Sequence, residues 1–552
     1  MVKNVLPLII VGLFTFIAGF SLLHKGLPPT HDGEYHVVRF YEFDRSLRDG
    51  NWYPRWAADL NSGYGVPLFN YVYPLPNYVA SFFHFLGFSF IDAFKLNMFF
   101  ALILGSIFFY LWAKGFWGVW GGLVGSIFYT FSPYHFVDIY IRGSVGEIWA
   151  LAFFPAFLWS VTEFLLNRKR IFVIFSSVFL ALIIFSHNIL ALMFFVFSLF
   201  YIIVLICQQR NRKFIIVNSL FIILIGLGLS AIFWLPAFIE AKYVTGLQIY
   251  NVLQHFPQFY QLIIPSWGSG FSGEGLGSSV SFQIGVANLL GVFLGLLLFF
   301  IYRKKNKNST IVLFFTFLFF SIFFLMLKAS LPIWKNAPFM NYFQFPWRFL
   351  SLEILIASFL VGSIVQYFSL TKLKMARVIV GLCLILLAFS LGVGYAKPAH
   401  YLYRDDNYYI SRSNFIDGTN SPGNFFNTIW MNRNLTKEKE KIKFAKGEGK
   451  VNTLSIKSSH YKFNVFAQQP SEVVTHTAYF PGWTVFIDQK VEKVRYNKDG
   501  LITFSVASGE HLVDVILLDT TVRKLASLVT ILSILYSIVA CSMSLGRVLW
   551  RK

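Results

Sequence analysis

Charge and cysteine are both scarce in this chain. Only 13% of its 552 residues are Asp, Glu, Lys or Arg, about half the usual ~25% of a soluble domain. So thin a polar covering excludes a disordered chain and a soluble enzyme of ordinary class. The three cysteines, Cys207, Cys383 and Cys541, all fall in apolar stretches, which excludes a disulfide scaffold and a thiolate metal centre. No glycine loop ending in Lys-Ser/Thr is present to cradle phosphates. Acidic residues are few as well, 26 against 47 basic, leaving a net charge of +21. What the chain does contain is apolar: 56% hydrophobic, 19% aromatic and 66 phenylalanines. A basic excess on so greasy a chain points either to nucleic acid or to membrane topology, and the placement of the charges decides between them.

A membrane-crossing helix needs about 20 mostly apolar residues. Twelve runs qualify as candidates: 6–23, 91–112, 116–134, 148–166, 171–185, 189–207, 214–238, 284–302, 311–327, 349–368, 378–395 and 525–543. The pair flanking Ser186, His187 and Asn188 is short enough to be a hairpin that dips without crossing. The first run has no small-residue cleavage site after it, so it reads as a retained anchor. With a cytoplasmic N-terminus and alternating sides, the inner stubs hold Lys3; Lys114; Arg168, Lys169, Arg170; Arg210, Arg212, Lys213; Arg303, Lys304, Lys305, Lys307; Lys372, Lys374, Arg377; and Arg547, Arg551, Lys552. These eighteen basic residues face no acid in the same stubs, so most of the excess is positive-inside bias and nucleic acid is not expected as a partner. Residues 71–88 would invert this parity if they spanned, so they read as interfacial or re-entrant, with Pro74 and Pro76 interrupting helical bonding. Both termini are then cytoplasmic in a cell membrane. The long loops 24–90, 135–147, 239–283, 328–348 and 396–524 lie outside, where any chemistry is expected.

The expected organisation is a polytopic helical domain over 1–396, an outer domain over 397–522, and a last helix with a basic tail over 523–552. Within the outer domain 401–446 reads as loop, with Asp417-Gly418 and Pro422-Gly423 as turns. Short β-branched runs at 451–456, 461–466, 472–476, 484–487, 501–506 and 511–518 read as an antiparallel β-sandwich. It shows no catalytic cluster, so binding or scaffolding is its expected work.

The first outer loop is richer in chemistry. Spacing predicts a surface helix from Gly33 to Arg48, with Val37, Phe40, Tyr41 and Leu47 on its apolar side and His36, Arg39 and Ser46 opposite. Asp32 stands at its head. It can cap the helix by accepting a backbone N–H, or act as a general base toward an acceptor hydroxyl. Cations near the spans stand out next, because buried charge is costly and marks function. Lys95, Arg142 and Arg348 are outer-facing by this topology, the guanidinium groups able to hold an anion bidentately and the ammonium as a point charge. Each also has an ordinary explanation: Arg142 pairing with Glu147 or Asp138, Arg348 pairing with Glu353, Lys95 snorkelling. His187 and His135 can be satisfied polar turns or ligands. The glycine-rich part of 239–283 reads as a lid.

Several separated motifs carry a resemblance. His31-Asp32-Gly33 with His36, Tyr53-Pro54-Arg55-Trp56, Gly63-Tyr64-Gly65, Tyr73-Pro74-Leu75, Ser132-Pro133-Tyr134-His135 with Arg142 and Glu147, Gln344-Phe345-Pro346-Trp347-Arg348 and Tyr479-Phe480-Pro481-Gly482-Trp483 resemble a GT-C-type polytopic family. That family is akin to the YfhO-like proteins and labelled "6-pyruvoyl-tetrahydropterin synthase-related". No His-x-His zinc triad accompanies the label, so pterin chemistry is not implied. The resemblance implies a membrane glycosyltransferase that moves a sugar from a polyprenyl-phosphate carrier to a glycan, lipid or protein acceptor. Asp32 becomes the catalytic candidate and Glu34 the second. His36, Arg39, Lys95, Arg142, Glu147, His187 and Arg348 are the candidate substrate contacts. Some GT-C members use a divalent metal, Mg or Mn, and others none. A lipid or glycan flippase and a non-catalytic envelope assembly protein are the rival readings.

Overall fold

The structure is a computed structural model, and it describes residues 2–209, 212–246, 252–272, 280–303, 308–369, 374–411, 426–432, 434–435, 438 and 440–549. Arg210, Lys304, Lys305, Lys307, Lys372, Arg551 and Lys552, the expected turns at 417–418 and 422–423, and the lid stretch 273–279 lie outside the described residues.

Long apolar runs become helices, because inside a bilayer a backbone must satisfy its own hydrogen bonds. Among the described residues eight helices are long and apolar enough to cross a membrane, or nine if the bent pair Ser309–Leu325 and Lys328–Asn336 counts as one span. Ile171–Ser186 and Val286–Tyr302 are apolar but shorter. Two expected runs share the continuous stretch Phe90–Thr130, whose helical geometry breaks at Gly118 (φ 73°). The Ser106 and Thr130 hydroxyls meet at 2.7 Å although 24 residues separate them. A straight helix would hold them about 36 Å apart, so the chain reverses at this glycine, whose missing Cβ permits the left-handed φ. The 214–238 run also divides, into Arg212–Leu229 and Ala231–Ile239. Thr530 of the last helix accepts the Ile232 N–H at 2.9 Å. Val145–Asn167 and the Pro346–Phe368 span are 89% and 94% buried in the protein, whereas Thr521–Ser542 is only 17% buried. The first two are therefore core helices and the last is peripheral.

The loops sort onto two faces. At one end Arg168 donates to the Gln209 side chain at 3.0 Å, Arg170 lies over Phe214, Asn308 donates to the Phe116 carbonyl, and Lys114 and Arg377 line one cleft. At the other end Leu27 pairs with Leu402 and Val244 with Thr428, and Asp406 accepts from the Phe90 and Ile91 N–H groups.

Nine strands form the outer domain: β1 Ile442–Lys446, β2 Gly449–Ile456, β3 His460–Ala467, β4 Ser471–Ala478, β5 Trp483–Ile487, β6 Lys490–Glu492, β7 Arg495–Tyr496, β8 Leu501–Val506 and β9 Gly509–Leu517. Two antiparallel sheets result, β1-β4-β8-β7 and β2-β3-β9-β5-β6. Alternation along β3 buries Tyr461, Phe463 and Val465, with Tyr461 opposite Val515 and Phe463 opposite Val513, as period-2 patterning demands. The 401–446 stretch expected as loop contains helix Asp406–Ile410 and strand β1. The isolated sequence of β1 is too charged to show this, and its pairing with β4 supplies the reason.

The first outer loop is built into this β-core. Trp56, Ala58, Tyr64 and Tyr71 share a buried cluster with Tyr461, Phe463, Val485 and Phe480. Trp56 meets Trp483 edge-on at 5.4 Å, and the Ala478 N–H donates to the Tyr64 carbonyl at 2.9 Å. Two expectations about this loop change. Helix Gly33–Arg48 forms with the expected bounds, but its polar side is not open to solvent, since His36, Arg39 and Ser46 are buried. The prolines at 74 and 76 open helix Leu75–Phe85 instead of interrupting one. Its 11 residues extend only about 16 Å, and proline is tolerated in a first turn because that turn's N–H groups lack partners anyway.

Candidate functional site

Asp32 is held in place by its backbone. The His31 and Asp32 N–H groups donate to the Ile141 and Arg142 carbonyls, both at 2.9 Å. Gly143 makes this approach possible: it sits at φ 67°, and a Cβ there would lie 2.3 Å from the Thr30 hydroxyl and 3.1 Å from the Gly33 nitrogen. Thr30, not Asp32, accepts the Gly33 N–H at 3.1 Å. The Asp32 side chain makes no capping bond, so its carboxylate is available for chemistry. Burial pushes its pKa above the usual aspartate value, while the Arg142 and Arg39 guanidinium groups and His31 pull the other way.

Beside it lies an ion cluster centred on Glu147, which has no exposed surface. Its carboxylate takes a forked pair from Arg142, at 2.6 Å and 2.7 Å. Arg348 Nε donates to the same group at 3.0 Å and the Tyr134 hydroxyl at 3.2 Å. His187 Nε2 lies 3.8 Å away. Arg142 also pairs with Asp138 and stacks on Trp347 at 4.8 Å. Arg348 reaches the Phe343 carbonyl at 3.1 Å and the Gln344 amide oxygen at 2.9 Å. Two guanidinium groups thus face two carboxylates, and the cluster is close to neutral. Forked pairing of this kind is strong and directional. It also compensates charges whose isolated burial would be prohibitive.

A second tier surrounds Asp32. Burial, then neighbouring Arg39 and His187, drive the His36 pKa well below its usual value, so its imidazole is neutral. Burial also lowers the Arg39 pKa, opposed by Tyr73 and Asp32. Tyr73 lies 5.2 Å from the His187 ring. His31 joins the opposite wall, its Nε2 2.9 Å from the Ser269 carbonyl and its ring stacked on Phe271 at 5.0 Å. The loop expected as a lid therefore touches the residue next to Asp32.

Of the candidate residues, the fold gathers Asp32, His36, Arg39, Arg142, Glu147, His187 and Arg348 in one place. Glu34 and Lys95 are elsewhere engaged. Glu34 faces Arg404 at 3.5 Å, and the Lys95 ammonium donates to the His24 carbonyl at 2.6 Å while pairing with Asp92 at 2.9 Å. Glu353 does not pair with Arg348: it is fully buried and neither oxygen has a hydrogen-bond partner. His135 packs edge-on against Tyr129 at 4.5 Å. Tyr73, Tyr134, Trp347 and Gln344 were visible only as letters of motifs. Their aromatic and amide character carries no charge signal, so spacing could not single them out. Among the described residues no group of three His, Cys, Asp or Glu could hold a metal ion. Glu147 and Asp138 already spend oxygens on Arg142.

A bundle of apolar helices with a buried, compensated charge cluster at the end that carries the β-domain is a polytopic membrane protein. The chain belongs to the family described as 6-pyruvoyl-tetrahydropterin synthase related domain, a membrane-protein family matched over residues 69–395. The match takes in Arg142, Glu147, His187 and Arg348 and begins after Asp32. An uncharacterized protein of Lactococcus lactis subsp. cremoris is 25% identical over 264 residues, 44% of this chain and 40% of the relative. Among solved structures, the chain is similar to the arabinofuranosyltransferase AftD from Mycobacteria, with a TM-score of 0.47 and 14% identity over 71% of this chain and 27% of that one. The oligosaccharyltransferase of Archaeoglobus fulgidus gives 0.41, at 14% identity over 72% and 53%. ArnT from Cupriavidus metallidurans bound to undecaprenyl phosphate gives 0.38, at 13% identity over 69% and 62%. The chain thus spans less than two thirds of the length of each.

Proposed function

We propose that this protein is a membrane glycosyltransferase that moves a sugar from a polyprenyl-phosphate carrier to an acceptor hydroxyl on the extracytoplasmic side. The observation that carries the reading is Asp32: a carboxylate at a helix head that leaves capping to Thr30, with its pKa raised by burial. A raised pKa makes it a better base than an ordinary aspartate. In the reaction Asp32 takes the acceptor's hydroxyl proton. The acceptor oxygen bonds to the anomeric carbon, and the bond from that carbon to the phosphate oxygen breaks, its electron pair leaving with the lipid phosphate. One displacement inverts the anomeric centre. Arg39 and Arg142 act on the Asp32 charge and favour its ionised form, which the base must be in to take the proton.

A transport reading draws on one specific observation, the Glu353 carboxyl. It is buried in a core span with both oxygens unpartnered, and an intramembrane acid is a functional candidate by default. The two readings separate in one experiment: purified protein is given a panel of polyprenyl-phosphate sugars and a mixed acceptor fraction. Transfer that disappears in Asp32→Asn and survives Glu353→Gln supports the enzyme. Undiminished transfer in Asp32→Asn removes Asp32 from the mechanism, and lipid translocation lost in Glu353→Gln without any transfer favours transport.

A further inference from the structure

A cavity of about 580 Å³ opens beside the Glu147 cluster. Its inner wall is tied to the site already described. The Asn188 amide donates to the Tyr71 carbonyl at 2.9 Å, Asn188 follows His187 in the chain, and Gln344 accepts from Arg348 at 2.9 Å. Its outer wall includes Lys335, Phe339 and Tyr342, with Phe339 63% and Tyr342 59% exposed. The cavity is thus polar at the inner end and apolar at the rim.

Two further observations single it out. Phe339 and Gln344, which both line it, hold left-handed backbone at φ 72° and φ 64°. Such conformations are costly in non-glycine residues and cluster at ligand sites. Charge is the second. Arg142 and Arg348 are already committed to Glu147, so an anion arriving there would have to displace a forked carboxylate. Lys335 is the charged residue among the cavity's described lining, and it makes no ion pair among the described residues.

Resting on the transferase reading, we propose that this cavity receives the phosphate head of the polyprenyl carrier. The Lys335 ammonium lies against the phosphate, Phe339 and Tyr342 contact the first isoprene units, and Asn188 and Gln344 hydrogen-bond the sugar. An exposed amine on an apolar rim fits an anion attached to a hydrocarbon chain. A free phosphate ion would share the charge contact and gain nothing from the aromatic rim.

The test measures binding of a fluorescent polyprenyl phosphate, without sugar, to the full chain in nanodiscs, with inorganic phosphate as competitor. Lys335→Glu is expected to weaken binding by about tenfold or more, a loss of about 1.4 kcal/mol, with Lys335→Arg close to wild type. Phe339→Gly relieves the strained backbone yet removes the ring, and is expected to weaken the lipid while leaving any inorganic phosphate affinity unchanged. In the transfer assay Lys335→Glu should lower kcat/KM by at least the factor lost in lipid binding. Wild-type lipid affinity in both Lys335→Glu and Phe339→Gly overturns the site even if transfer is observed. Inorganic phosphate competing as well as the lipid overturns the lipid assignment. Lys335-dependent lipid binding with no transfer from any donor keeps the site and overturns the transferase reading.

Discussion

At the scale of single residues, Asp32 and Glu147 are both acids beside arginine, and their surroundings give them opposite work. Glu147 spends both oxygens on Arg142, Arg348 and Tyr134, so it compensates charge. Asp32 makes no capping bond, so it keeps its lone pairs for a substrate proton. Replacement of Asp32 by Asn is expected to reduce transfer by about 10²–10⁴-fold, the usual contribution of a general base, with little change in thermal stability, since no capping bond is lost. The sign of the pH effect follows from the raised pKa. The base must be ionised, so the rate falls as pH drops through a value above the ordinary aspartate range and levels off at higher pH. A pH–rate profile checks this; an acid limb in the ordinary range would contradict the burial argument. For Glu147→Gln, two buried guanidinium groups lose their shared counter-charge. Breaking a buried pair costs about 3–5 kcal/mol, and a lowered midpoint in detergent thermal unfolding is the expected result.

Among the elements, the short segment from Pro133 to Gly143 matters more than any long helix. It contributes Tyr134, Asp138 and Arg142 to the cluster, and its Ile141 and Arg142 carbonyls fix the backbone of Asp32. Gly143 closes this segment with left-handed backbone and no room for a Cβ. A Gly143→Ala substitution should therefore displace Thr30 and Asp32 together. Transfer is expected to fall nearly as far as in Asp32→Asn, while lipid binding, measured separately, is retained. Loss of both would mean that the whole outer face had collapsed. Elements also show where pattern reading works. Helix Gly33–Arg48 has the bounds its spacing predicts, because periodicity and a polar head are local properties. Burial of its polar side is not local: Phe94 of the following span stacks on His36 and Tyr73 acts on Arg39, and the 3.6-residue repeat carries no record of that.

For the whole molecule, the outer loop and the β-domain form one packed unit. Trp56, from the first loop, is 1% exposed inside the β-domain's cluster. Trp56→Ala should cost about 3–5 kcal/mol and detach the sheets from the membrane domain, seen as new limited-proteolysis sites within 57–66 and 441–480. Unchanged proteolysis would show that the other contacts of this interface suffice. The proposed orientation has its own check. Lys169→Cys and Lys498→Cys, in a background lacking the three native cysteines, should label with an impermeant reagent from the cytoplasm and from outside respectively. Reversed labelling would place the Asp32 site on the cytoplasmic side and remove the polyprenyl-phosphate donor argument.

The sequence by itself determined what depends on near neighbours along the chain. The apolar runs, the separation of basic stubs from long loops, the alternating strands and the helix headed by Asp32 follow from composition and period. Arg142 and Arg348 are conspicuous as charges beside apolar runs, whereas Asp32 and Glu147 enter the candidates through the resemblance of their motifs. Only the tertiary structure decided how those charges are used. Glu147 could meet Arg348 only once a helix from one half of the chain packed against a span 201 residues away, and Lys95 and Glu34 took partners that spacing does not specify. Pairing energy depends on distance in space and on the dielectric around it, and both are properties of the packed protein.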